Sequence, residues 1–134
     1  THYVGHADAI KPMMSVRENI SFWSRLRTPQ PDVNQALTAF KLENLANVPG
    51  QFLSAGQKQR VKLARALATP ANLWLLDEPA TALDKDAISS LCEVIAKHRE
   101  RGGLVAISTH QDLKLLDCKI LQLDDFAVES TAYV

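Results

Sequence analysis

Apolar positions recur every three or four residues along the first half of the chain, and gather into short unbroken runs along the second. Val16, Ile20, Trp23 and Leu26 share one helical face after Ser15, and Glu18 three residues beyond Ser15 completes a capping-box pattern. Asp32 precedes a second periodic stretch, with Val33, Ala36, Leu37 and Phe40 on its apolar side. Residues 42–47 read as a short helical connector and Pro49-Gly50 as a turn. Ser54, with Gln57 at the capping-box position, opens a third helix whose apolar members are Val61, Leu63, Ala64, Leu67 and Ala68. Pro12 marks an early turn, Pro29 and Pro31 end the first helix, and Pro70 closes the third.

After Pro70 the pattern changes. Residues 73–76 form a continuous apolar run, as expected of a strand covered on both faces. Residues 87–101 follow as a helix with Ile88, Leu91, Cys92 and Ile95 inward, stopped by Gly102-Gly103. A second buried strand is expected over 104–107, a short helix over 113–116 and a third strand over 120–123. Tyr3-Val4 reads as the end of a strand already under way. Strand–helix–strand alternation implies an α/β fold with a parallel sheet and flanking crossover helices. The chain thus divides into a helical part, 7–70, and an α/β part, 71–134, within one domain-sized unit of 134 residues.

Composition narrows the function classes. Fifteen basic and fifteen acidic residues cancel, which removes the electrostatic reason to expect nucleic acid as a partner. No run approaches the ~20 apolar residues of a membrane span, so direct insertion is not expected. Cys92 and Cys118 lie far apart in apolar-patterned segments and read as buried, reduced thiols. The opening Thr1 suggests a C-terminal piece of a longer protein.

Candidate chemistry gathers at two places. At Ser54-Ala55-Gly56-Gln57 a helix start offers free N–H groups and partial positive charge, with a hydroxyl from Ser54 and no Cβ at Gly56 to keep an anion from the backbone. That is a phosphate cradle, or an ordinary capping box. At the carboxyl end of the 73–76 strand stand Asp77 and Glu78, where ligands bind in open parallel sheets. Adjacent carboxylates suit a hard cation and a proton acceptor: Asp77 for Mg²⁺, Glu78 as the base that orients water in phosphoryl transfer. A solvated acidic pair is the alternative. His110, at the end of the next strand, shares that edge, where an imidazole can hydrogen-bond a terminal phosphate oxygen.

These elements, in this order, resemble the ABC ATPase family, a branch of the P-loop NTPases. Leu53-Ser54-Ala55-Gly56-Gln57 is similar to the family signature, with Ala55 where glycine is usual. The segment 73–78 resembles its Walker B strand, Ala82-Leu83-Asp84 its D-loop, and His110 its switch histidine. The resemblance implies ATP and Mg²⁺ as cofactors, a head-to-tail dimer with a second ATPase subunit, and a partner nucleotide held by 53–57 with Asp84 at the dimer interface. A narrower resemblance is to the ATP-binding subunits of the haem exporter of cytochrome c maturation. It rests on Tyr3-Val4-Gly5-His6, Ile10-Lys11-Pro12, Val16-Arg17-Glu18-Asn19, the segment 74–84, Gly102-Gly103-Leu104-Val105 and Thr109-His110-Gln111. It implies integral membrane transporter subunits as partners, and a peripheral place at the cytoplasmic face of a bacterial inner membrane. His6 stands where most of the family has a glutamine. Imidazole is a poorer ligand for Mg²⁺ than an amide oxygen. A role linking nucleotide state to the membrane partner is therefore expected of His6, with packing as the alternative.

The pattern G-x-x-x-x-G-K-[ST] is absent from the 134 residues. Without those amides and that lysine the β- and γ-phosphates lack their primary grip, so these residues alone are not expected to hydrolyse ATP. Two rivals remain open at this point: a soluble ABC ATPase acting on ribosomes or DNA, and a catalytically dead interaction module.

Overall fold

The computed structural model describes residues 1–5 and 9–126. Its centre is a parallel sheet of three strands in the order β1-β2-β3, formed by β1 (His2–Val4), β2 (Leu73–Asp77) and β3 (Leu104–Ser108). Helices α1 (Val16–Arg25), α2 (Val33–Ala39) and α3 (Ala55–Leu67) fill the connection from β1 to β2, and α4 (Lys85–Glu100) crosses from β2 to β3.

Helix starts lie where side chains satisfy the free N–H groups of the first turn. The Ser15 hydroxyl accepts from the Glu18 N–H (3.2 Å) while the Glu18 carboxylate accepts from the Ser15 N–H (2.8 Å). Ser54 and Gln57 repeat the arrangement at α3. Asp32 caps α2 and Asp84 caps α4 through the Ala87 N–H, so α4 begins at Lys85, two residues before the sequence pattern placed it. The core joins Val16 and Ile20 of α1, Leu37 of α2, Phe40, Leu42, Val61 of α3, Trp74 and Leu76 of β2, and Leu91 and Ile95 of α4. Leu26, expected on the buried stripe of α1, is 67% exposed. Ten residues at about 100° each leave it about 80° round the helix from Val16, and the helix has already ended. Asn19 is buried on that helix instead. Its amide lies 3.0–3.1 Å from the Lys11, Met14 and Ser15 carbonyls and accepts from the Lys11 N–H at 2.7 Å, tying down the segment that precedes α1.

The sheet is covered on one face. His2, Val4, Trp74 and Leu76 are buried, whereas Tyr3 is 62% and Leu104 66% exposed. The expectation of strands buried on both faces therefore fails for β3, and for the alternate residues of β2. Among the described residues the apolar core lies against one side of the sheet only. His98 stacks flat on Trp74 (3.9 Å between ring centroids, 6° between planes), and its ring occupies the space a Cβ at Gly103 would need. Gly102 has φ +84°, the left-handed stop expected after α4.

The last described stretch departs most from the sequence pattern. Residues 113–116 form no helix: Lys114 and Asp117 adopt positive φ (49° and 51°), which breaks the helical repeat. Side chains of α4 hold the backbone there, with Arg99 donating to the Leu116 and Asp117 carbonyls at 2.6 and 2.8 Å and Leu113 buried. Residues 120–123 form no strand: they make no ladder with β3, and a 3-10 turn begins at Leu123. Cys118 is exposed and Cys92 half-buried, both as free thiols, so the reading of two buried cysteines is corrected for Cys118. Burial raises the Cys92 thiol pKa.

Candidate functional site

Parallel pairing of Asp77 with Ser108 sets the chemistry of the rim. It carries the chain beyond β3, with Thr109 and His110, directly alongside Glu78. Glu78 leaves β2 in a left-handed conformation (φ 45°), and its N–H donates to the Ser108 carbonyl at 2.8 Å. This turn brings the Glu78 carboxylate to His110, with Oε1 2.8 Å from Nδ1, while the Thr109 hydroxyl lies 3.4 Å from Oε2. The hydrogen bond from His110 holds the Glu78 pKa below the ordinary glutamate value, against the opposing effect of desolvation. A neutral His110 that donates from Nδ1 leaves Nε2 as an acceptor; only the imidazolium donates from both nitrogens. Asp77 lies next to Glu78 at the same strand end, half-exposed.

The shift predicts a pH effect. With His110→Ala the carboxylate loses its donor while its desolvation remains, so the Glu78 pKa rises. If Glu78 serves as a base, the acid limb of the kcat/KM profile of a full-length protein moves to higher pH, which rate measurements across the acid range would read.

The start of α3 forms the second element. Its first-turn N–H groups face outward around Ala55 and Gly56, and Ser54 remains exposed with its hydroxyl hydrogen available after accepting from Gln57. Leu53, expected to contact nucleotide, has its side chain in the core (7% exposed) and its N–H on the Gly50 carbonyl. It can support the turn but offers no side-chain contact to a ligand. Gly56 serves a purpose beyond open approach to an anion: a Cβ there would lie 2.6 Å from the Ala82 carbonyl oxygen.

That close approach joins the two elements. The loop leaving Glu78 returns past α3, with Ala82 at φ 62°. Arg60 of α3 pairs with Asp84 at 2.8 Å, while Asp84 also caps α4. The buried Gln59 donates to the Pro79 carbonyl at 3.0 Å. The sequence did not single out Gln59, and it named Asn19 only within the narrower resemblance. Their signal was a polar residue inside a helix beside apolar core positions, a pattern that also occurs on solvated faces.

Among the described residues no group of three or more His, Cys, Asp and Glu is arranged to hold a metal by itself. Mg²⁺ commonly uses one or two carboxylates, waters and substrate phosphates rather than a cage of protein ligands. Asp77 fits that single-carboxylate role. His6 lies outside the described residues; after it, Ala9 is fixed by the Trp23 indole N–H at 2.9 Å.

The sequence profile of the ABC transporter family matches residues 1–81. The chain belongs to the ABC transporter family. It is 55% identical over 127 residues to the cytochrome c biogenesis ATP-binding export protein CcmA of Rhodospirillum rubrum, covering 94% of this chain and 54% of that protein. The proteins of the same name from Paramagnetospirillum magneticum and Paracoccus denitrificans are 53% and 43% identical, over 96% and 92% of this chain and 61% and 59% of their own lengths. The chain thus spans between half and two thirds of the length of these relatives. Among solved structures, a chain of the complex of archaeal ribosomal stalk protein aP1 and ribosome recycling factor aABCE1 superposes with a TM-score of 0.66 at 24% identity, over 79% of this chain and 20% of that one. At that identity the likeness shows the ABC ATPase fold, an α/β arrangement around a parallel sheet.

Proposed function

We propose that these residues form the signature and hydrolytic-rim portion of the ATP-binding subunit of an ABC transporter for cytochrome c biogenesis, coupling ATP hydrolysis to export of haem. The observation that carries the reading is the joining of the Glu78–His110 contact and the α3 start through one loop, which couples a water-activating carboxylate to a phosphate-facing helix end. The names of the relatives support the cytochrome c setting.

In this reading Glu78 accepts the proton of the attacking water, and His110 fixes the orientation of its carboxylate while facing the terminal phosphate. Ser54 and the free N–H groups of Ala55 and Gly56 receive the nucleotide of a second ATPase subunit in a head-to-tail dimer, with Gln57 holding the turn and Asp84 at the interface. Asp77 holds Mg²⁺, which when bound neutralises charge on the transferring phosphoryl group. His6 links nucleotide state to the membrane subunits. The signature subdomain spans 7–70 and the catalytic part 71–134, with β1 completing the sheet. The residues described here lack the lysine loop and do not hydrolyse ATP alone. No helix among the described residues is long and apolar enough to cross a membrane, which fits a peripheral subunit docked on integral partners at the cytoplasmic face of a bacterial inner membrane.

Disrupting the gene in its host is expected to abolish covalent haem staining of c-type cytochromes while b-type haem proteins persist. Normal c-type staining would remove the substrate assignment.

A further inference from the structure

Glu78 has a Cβ and still holds φ at 45°, a conformation that persists only where the surroundings fix it. Its own backbone is held at both ends, the N–H by Ser108 (2.8 Å) and the carbonyl by Thr81 (3.2 Å). The next residue, Pro79, is fully buried and has no N–H to anchor. Its carbonyl is its only backbone hydrogen-bonding group, and the Gln59 side chain takes it. Only the amide nitrogen can serve facing a carbonyl, which fixes the orientation of the Gln59 amide. Gln59 is 8% exposed, on a helix whose other inward residues are mostly apolar. Burying an amide among them is costly unless its hydrogen bond is made.

The bond has a direction. Gln59 stands about one helical turn beyond Gly56 on α3, so any displacement of the α3 start pulls on the Pro79 peptide, one residue from Glu78. Farther along the loop the same helix is held by Gly56 against Ala82 and by Arg60 on Asp84. Those contacts fasten the far part of the loop; Gln59 fastens the part adjoining the carboxylate.

We propose that Gln59 is a positioning residue for hydrolysis: it sets the Glu78 carboxylate through the Pro79 carbonyl, and so makes the orientation of that carboxylate depend on the α3 start that faces the partner's nucleotide. The proposal rests on Glu78 acting as the base. In a full-length protein, Gln59→Met keeps volume and loses the donor. The expected result is a fall in kcat of about tenfold, the scale of a misplaced catalytic group, with KM for ATP within about twofold. Gln59→Asn, which keeps an amide but is one methylene too short, should give the same split, and carries the test if the methionine variant fails to fold. Combined with Glu78→Gln, either substitution should cost nothing further, because Gln59 acts only through that carboxylate. An unchanged kcat in both single variants, or a full additional loss in the double variant, overturns the proposal. Normal turnover of Glu78→Gln by itself would instead overturn the assignment of the base, so the two failures read differently.

Discussion

Replacing Glu78 by glutamine in a full-length protein is expected to leave ATP binding intact and to cut turnover at least a hundredfold, within the range of about 10² to 10⁴ contributed by a general base. The substitution is close to isosteric. The amide oxygen can still accept from His110 Nδ1, so the 2.8 Å contact and the left-handed turn survive. What disappears is the capacity to take a proton. Glu78, beyond the end of β2 and at φ 45°, is the carboxylate turned to His110. Nucleotide affinity measured beside single-turnover hydrolysis separates the two effects, and near-normal hydrolysis would remove Glu78 from its role.

Gly56→Ala is expected to lower both stability and turnover. The added Cβ would lie 2.6 Å from the Ala82 carbonyl, a backbone atom that cannot swing aside. Either α3 or the loop from 79 to 84 must move, at a cost of about 1–3 kcal/mol for overpacking. Movement of the loop disturbs the Arg60–Asp84 pair and the Gln59–Pro79 bond together. We expect a lower melting midpoint and a turnover reduced about ten- to a hundredfold. Ala55→Gly, one residue earlier at an exposed position, provides the contrast and should retain activity. A Gly56→Ala protein with unchanged midpoint and rate would show that α3 and the loop are not in contact.

The parts of this architecture that could be read from the sequence are those whose cause is local. Ser15 with Glu18 and Ser54 with Gln57 close their boxes within one helical turn, so spacing alone identifies them. The apolar run ending in Asp77-Glu78 carries its own sign of a strand end, and the placement of His110 on the same rim follows once two strands run parallel. Contacts across long stretches of chain were not legible. Gln59 meets Pro79 twenty residues away and Asn19 meets Lys11 eight away, and neither partner announces the other. The stretch 113–123 misled for a related reason. Its leucines and isoleucine imply regular elements, but Arg99 of α4 holds the Leu116 carbonyl and, among the described residues, Ile120 joins no strand. The backbone of Glu78 was hidden as well, because nothing about a glutamate after a strand announces a left-handed φ.

The flat stack of Trp74 on His98 places the two indoles of the chain in different surroundings. Trp74 lies inside the sheet layer against the His98 imidazole, whereas Trp23 stands beside the Arg65 guanidinium in the helical layer. Fluorescence from variants retaining one tryptophan at a time would follow each layer separately, without attaching a dye.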